Sequence, residues 1–391
     1  MIDKECLFDI TDRFPTPLFV FDEDELTGRT YKIRDILGDI PLCFSIKANP
    51  FLIPSLINVV DRFEVCSPGE LAICKKLSVS PEKIIYSGVH KEAEDIEDAI
   101  LTGAGILTAE SIRHYRLIKN VSERLGQKTC VLLRLNSKSQ FGMSPADIET
   151  VLSDPSPNID VIGLHYFAGT GRKKTSKLAD ELLMLEDTIC SLRNKYDTPL
   201  PMLEYGPGLP FPYFTDDDFS DTLRPLKDLL PYLEKISGKC SLSVEMGRFI
   251  ASSCGYYLTS ICDIKNASGS DWCIVDGGIN HVNYLGQMMG MKTPVIRHMQ
   301  GRCIVDDSDG NDYCICGSLC STNDVLVRSL PLKGAGEGDI LVFENIGAYS
   351  VTEAMGLFLS RTLPRIVMCK ENTPQLVRDA KESWMINIQD M

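Results

Sequence analysis

The sequence predicts an α/β chain of two parts, an eight-stranded parallel barrel over residues 26–252 and an antiparallel β domain built from residues 253–391 together with 1–25. Three observations carry this. Between Leu26 and Ile250, short apolar runs alternate with longer segments of helical period, the pattern of repeated βα units around a parallel sheet. The short runs number eight, the count of a (β/α)8 TIM barrel rather than of an open doubly wound sheet. Past Ser253 the apolar runs shorten and are broken by turn residues, as in an antiparallel sheet.

In chain order, Pro17 to Phe21 reads as a strand that precedes the first barrel helix and joins the later β domain. The barrel strands are expected at Pro41 to Ile46, Phe63 to Val65, Lys83 to Tyr86, Gly105 to Thr108, Thr129 to Leu135, Asp160 to His165, Met202 to Tyr205 and Leu242 to Glu245. Helices lie between them. Pro68 to Leu77 opens on Ser67 with Glu70 three residues on, a capping-box spacing, and Ala109 to Leu125 and Ser176 to Lys195 carry a helical period. The β-domain strands are expected at Tyr256 to Asp263, Trp272 to Asp276, Thr293 to Ile296, Tyr313 to Cys316 and Asp339 to Phe343.

Composition removes several classes of function. With 44% hydrophobic and 24% charged residues the 391-residue chain can bury a core, which excludes a disordered, collagenous or coiled-coil protein. Forty Lys and Arg against 54 Asp and Glu leave a net charge of −14, which repels nucleic acid and anionic membrane surfaces. The longest basic cluster, Arg172-Lys173-Lys174, is too short to reverse that. No apolar run is long enough to span a bilayer, and Asp3, Lys4, Glu5, Asp9, Asp12 and Arg13 interrupt the start where a signal core would lie. The 15 cysteines, an odd number, sit singly in apolar or helical stretches, so free thiols in a reducing cytoplasm are expected. Cys314, Cys316 and Cys320 lack a second ligand pair, and His90, His114, His281 and His298 lack any metal-site spacing, so no metal is expected.

In such a barrel, chemistry gathers at the C-terminal ends of the strands. The first strand ends in Lys47, whose ammonium in a barrel mouth must be paired or do covalent chemistry; a rim lysine on a solvated loop is the other reading of this strand alone. Glu64, after the second strand, is placed to pair with it. Glycine-rich turns follow strands six, seven and eight, at Ala168-Gly169-Thr170-Gly171, Gly206-Pro207-Gly208 and Met246-Gly247-Arg248. Each is weak alone, but three on one rim make a phosphate cradle with an arginine fork. A phosphate clamp opposite a lysine nucleophile points to pyridoxal 5'-phosphate, whose aldehyde forms a Schiff base with lysine.

These residues stand in motifs: Ser45-Ile46-Lys47-Ala48-Asn49-Pro50, Phe63 to Glu70, Ser139-Gln140-Phe141-Gly142, His165 to Gly171, Glu204 to Gly208, Glu245 to Arg248, Gly317 to Asp324 and Gly347-Ala348-Tyr349. In that order they resemble the fold-type III, alanine-racemase-like group of pyridoxal-phosphate decarboxylases, which contains the diaminopimelate and ornithine decarboxylases. The resemblance implies that Lys47 is the Schiff-base lysine and that Glu245 pairs with the pyridine nitrogen. It places Glu64 and Phe167 beside the cofactor and assigns the phosphate to Thr170, Gly206 to Gly208, Gly247, Arg248 and Tyr349. It also implies a homodimer with shared sites, into which Cys320 enters from the partner subunit as the protonating acid, with Asp324 and Ser321 toward the substrate.

The implied activity is loss of the α-carboxylate of an amino acid as CO2. Racemases on this scaffold set an arginine against the ring nitrogen, so Glu245 favours decarboxylation over racemisation. Lys47, Glu245, Arg248, Cys320 and Tyr349 together speak against a catalytically silent regulator. Two departures bear on the substrate. Phe167 stands where the family usually stacks a histidine on the ring, and Ser321 follows Cys320 where diaminopimelate decarboxylases have glutamate and ornithine decarboxylases aspartate. The substrate class is therefore either a diaminopimelate- or ornithine-type amino acid, gripped by Asp324 alone, or a conjugated or carrier-linked one.

Overall fold

The protein is described here by a computed structural model covering residues 2–389. It forms two compact units: a barrel unit, Arg29–Pro210 with Asp221–Ile250, and a β unit, Met1–Gly28 with Phe211–Ser220 and Ala251–Met391.

Strand β1 (Leu18–Asp22) belongs to the β unit. The barrel strands follow as β2 (Leu42–Ser45), β3 (Arg62–Val65), β4 (Ile84–Tyr86), β5 (Ile106–Ala109), β6 (Thr129–Arg134), β7 (Ile159–Phe167), β8 (Met202–Gly206) and β9 (Ser241–Met246). All pair parallel in chain order, and β9 closes on β2 with Val244 opposite Leu42 and Met246 opposite Phe44. Helices cover the outside and side chains fill the inside, so β2, β4, β5 and β8 are buried at every residue. Cys43, Ile85, Ile106, Leu132 and Met202 pack together as an apolar floor.

Local signals set the connections. Ser67 Oγ accepts from Glu70 N at 3.1 Å and starts the helix Pro68–Lys76. Glu70 does not complete the expected box on Ser67; its carboxylate takes the Cys66 N–H at 2.6 Å and so pins the end of β3 to the helix. The next helix begins at Ile112 rather than Ala109, because Ala109 still pairs with Leu133 across β5 and β6, and Ser111 is the cap.

In the β unit, β1 lies between β10 (Gly255–Ala267) and a later strand, Arg365–Lys370. The remaining strands are β11 (Ser270–Val275), β12 (Ile296–Gln300), β13 (Cys303–Ile304), β14 (Asn311–Cys316), β15 (Val325–Leu332) and β16 (Ile340–Glu344), with Arg365–Lys370 as β17 and β18 at Thr373–Arg378. The N-terminal strand joins this sheet as expected, but the sheet is mixed rather than wholly antiparallel. β1 runs parallel to β17 and β11 parallel to β14, pairs that no tight hairpin joins and whose direction is therefore free. A helix not anticipated from sequence, Lys4–Arg13, lays Leu7, Phe8 and Ile10 against Leu18, Val20, Val342 and Val367. β12 starts at Ile296, three residues later than expected, since Pro294 has no N–H and forms only a single bridge to Phe214.

Among the described residues all 15 cysteines are free, no group of three or more His, Cys, Asp or Glu side chains could hold a metal, and no helix is long and apolar enough to cross a membrane.

Candidate active site

Beyond β2 the chain tightens into a 3₁₀ turn, Ile46–Ala48, which carries Lys47 at the mouth of the barrel. The Lys47 Nζ lies 2.8 Å from Glu64 Oε2, at the end of β3, and 3.8 Å from Glu245 Oε1, at the end of β9. The lysine side chain is 38% exposed, while Glu64 and Glu245 are 5% and 6% exposed, so the amine is reachable and its counter-charges are held inside. Cys66 completes the group: its thiol donates to Glu64 Oε1 at 3.0 Å and sits 3.6 Å from Nζ. Burial, then the Glu64 charge, push the Cys66 pKa well up, so it stays a thiol.

Glu245 is held from two further sides. Ser45 Oγ donates to Oε1 at 2.7 Å and His165 Nε2 meets Oε2 at 3.1 Å. Burial opposes ionisation, but the Lys47 charge, His165 and Ser45 outweigh it and hold the carboxyl well below the usual range. Glu204, one inward position deeper on β8, behaves oppositely. Burial and then the Glu245 charge raise its carboxyl to about 7, against a smaller lowering from Ser243. The Ser243 hydroxyl lies beside it without the alignment of a full hydrogen bond.

The turns after β7 and β8 pack backbone to backbone. Gly208 sits at φ +61, and a Cβ there would strike the Gly169 carbonyl, so only glycine fits. A Cβ on Gly206 would come 2.7 Å from the Phe167 ring, so Gly206 makes the room in which that ring lies. Arg172 N donates to Gly208 O at 2.9 Å, which ties the two turns together, and its guanidinium pairs with Glu181 on the following helix, Nη1 to Oε2 at 2.7 Å. The N–H groups of Gly169, Thr170 and Gly208 find no protein acceptor among the described residues. Arg248 is buried and opens the short helix Arg248–Ala251 directly after Gly247 and β9. The Ser139 to Gly142 segment is ordered from β6 by Arg134, which pairs with Glu110 at 2.5 Å while Glu110 Oε2 accepts from Gly142 N at 3.2 Å.

A reachable amine between two buried carboxylates, beside a rim of unpartnered backbone N–H groups, is a donor set for an aldehyde cofactor that bears a phosphate. Residues 23–252 match the family described as pyridoxal-dependent decarboxylase, pyridoxal binding domain. The chain belongs to the pyridoxal-dependent decarboxylases. It is an amino-acid carboxy-lyase that uses pyridoxal phosphate. Its relatives include the L-glutamyl-[BtrI acyl-carrier protein] decarboxylase of Niallia circulans, 24% identical over 96% of this chain and 94% of that one. Another is the diaminopimelate decarboxylase of Aquifex aeolicus, 25% identical over 89% of this chain and 85% of that one. The crystal structure of the M. jannaschii diaminopimelate decarboxylase in complex with L-lysine shares the fold, with a TM-score of 0.86, 23% identity and coverage of 98% and 94%.

The β unit of the decarboxylase holds the other residues singled out in the sequence. Tyr349 sits at φ +70, a region non-glycine residues avoid, and its carbonyl accepts from Thr352 N and Glu353 N. Cys320 is exposed and Ser321 half-buried. Asp324 departs from expectation. It is 2% exposed, its Oδ1 accepts from Ile279 N and its Oδ2 from Leu319 N, both at 2.8 Å. Instead of reaching toward a substrate ammonium, its side chain braces the loop that carries Cys320.

Ser45, Cys66, His165 and Glu204 received no role from the sequence. One signal was present: His165 stands two residues before Phe167 and so shares the inward face of β7.

Proposed function

We propose that this decarboxylase acts on an amino acid with no free distal ammonium, a conjugated or carrier-linked substrate, and that it works as a cytoplasmic homodimer with shared sites. Asp324 carries the substrate part of this reading. Its two oxygens are taken by backbone N–H groups, so the one carboxylate near Cys320 is not available to grip a diaminopimelate- or ornithine-type chain end. Ser321 offers only a hydroxyl. The Niallia circulans relative, whose name specifies a carrier-linked glutamyl group, supports the same direction.

Lys47 would hold the cofactor through its ε-amine, the turn residues Thr170, Gly206, Gly208, Gly247 and Arg248 with Tyr349 its phosphate, and the Phe167 face its ring. Bound there, pyridoxal phosphate supplies an electron sink for the pair left on Cα as CO2 departs. Glu245, anionic despite burial, keeps a proton on the ring nitrogen. Glu64 stands at 2.8 Å to receive or return the proton of Lys47 Nζ. Cys320, reaching across the dimer, would deliver the proton that completes the amine product.

A panel measuring CO2 release from diaminopimelate, lysine, ornithine, arginine and acylated or carrier-linked amino acids tests the substrate. The highest kcat/KM is expected for a conjugated or carrier-linked member; a free diamino acid in first place would overturn the reading. Mixing inactive Lys47→Ala and Cys320→Ala chains should restore activity if each site draws on both protomers, and no recovery would remove the shared site.

A further inference from the structure

A carboxylate serves a bound pyridine nitrogen only as an anion, yet Glu245 lies in the barrel interior, where an isolated carboxyl keeps its proton. The groups that face it come from four elements. Lys47 stands 3.8 Å from Oε1 and Ser45 donates to the same oxygen at 2.7 Å. His165 on β7 meets Oε2 at 3.1 Å, and Glu204 on β8 and Cys43 on β2 are its buried titratable neighbours. Once Lys47 is committed to the cofactor, the only protein donors left on the two Glu245 oxygens among the described residues are Ser45 and His165.

The state of His165 follows from its other nitrogen. The ring is 2% exposed, and Nδ1 is buried with no hydrogen-bond partner among the described residues. To bond a carboxylate, Nε2 must carry hydrogen. A second hydrogen on Nδ1 would be a buried donor without an acceptor, a worse loss than an unused lone pair, so the hydrogen-bond geometry is satisfied by hydrogen on Nε2 alone. Glu204 is its register neighbour on β8, yet neither of its carboxyl oxygens makes a hydrogen bond to the ring.

We propose that His165 is a positioning residue for decarboxylation: as the neutral Nε2–H tautomer it holds Glu245 Oε2 while Ser45 holds Oε1, fixing the carboxylate as an anion for the cofactor's ring nitrogen. This rests on the assignment of Glu245 to that nitrogen. A substitution of His165 therefore acts through Glu245 and leaves substrate binding largely alone.

Three holoenzyme variants test it: His165→Phe, which keeps a ring and removes the donor, His165→Gln, which keeps an amide donor at similar reach, and Glu245→Gln. The readouts are kcat and KM separately and the pH titration of the bound cofactor's visible absorption. In His165→Phe, kcat should fall roughly 10- to 100-fold, the range for a lost hydrogen bond to a charged group, with KM changed by less than about 3-fold. The acid limb of the titration should move to higher pH, because a carboxylate deprived of a donor takes up its proton sooner. His165→Gln should return both to near the parent. A His165→Phe enzyme with the parent's titration and kcat, or a His165→Gln enzyme as impaired as His165→Phe, would overturn the proposal. Should His165→Phe fail to fold, Ser45→Ala removes the companion donor and must move the titration the same way; an unmoved titration there also overturns it. Glu245→Gln separates the two levels. If it leaves the absorption unchanged, the assignment of Glu245 fails, whereas a shift in Glu245→Gln without one in His165→Phe defeats this inference alone.

Discussion

The two ends of the barrel are made by the same eight strands and hold opposite environments. At the floor, Cys43, Ile85, Ile106, Leu132 and Met202 are buried and make an apolar layer. At the mouth, Lys47, Glu64, His165 and Glu245 form a charged and hydrogen-bonded cluster. A single strand shows the change: on β8, Met202 belongs to the floor, Glu204 is a carboxyl pushed up to about 7, and Gly206 starts the turn beside Phe167. Stability is concentrated where side chains only pack, and chemistry where the strand ends leave room for loops.

Substitutions at each level sharpen or break that division. Lys47→Ala acts at the mouth. Its kcat should fall by roughly 10⁴-fold, the upper range for a group that moves protons in catalysis, and borohydride should no longer fix pyridoxal phosphate to the chain, as read by intact mass. An adduct that persists would move the amine elsewhere. Leu132→Ala acts at the floor and should cost about 3 kcal/mol through the cavity it leaves, seen as a lower denaturant midpoint with the cofactor absorption unchanged. Altered absorption in the folded variant would show that the two ends are not independent.

Glu204 sits between them, and its effect runs with pH. In the unfolded chain its carboxyl loses a proton near the ordinary value of 4.5, whereas burial keeps the proton on in the fold until about 7. Across that window the folded state binds more protons, so rising pH weakens the fold. Glu204→Gln cannot titrate, and its stability should fall by about 1 to 3 kcal/mol less than the parent's between those pH values. Parallel denaturation curves at the two ends of the window would show that Glu204 is not the titrating group. The smallest effect is expected from Ile106→Val, about 1 kcal/mol for one buried methylene, with kcat unchanged.

Much of the barrel was legible in the sequence because strands buried on both faces are continuous apolar runs; β4 begins at Ile84 where Lys83 was expected, and β6 ends at Arg134 rather than Leu135. The β unit was less so. β15 has only Val325 to Val327 before Arg328, Ser329 and Pro331 break its apolar run, and β18 leaves Leu376 and Val377 exposed beside Thr373 and Gln375, so neither shows a buried-strand pattern along its length. At the site, Lys47 and Glu64 stood out as charges at strand ends, and Glu245 entered through the family resemblance. The work of His165 did not, because an inward histidine looks like any core histidine until the fold brings up a carboxylate 80 residues away. Asp324 misled for the same reason: a carboxylate near Cys320 was visible, and the backbone N–H groups of Ile279 and Leu319 that consume it were not.

The place of β1 has a consequence for biosynthesis. All five of its residues are buried, and its partners β10 and β17 are translated only after the last barrel strand. A growing chain thus exposes Leu18 to Asp22, with both edges unpaired, for the whole time the barrel is being made. All eight barrel strands are synthesised before either partner of β1, and its second edge has no partner strand until Arg365 to Lys370 arrives. Until then the nascent chain carries an apolar strand open to chaperones, and to mispairing with another copy of itself.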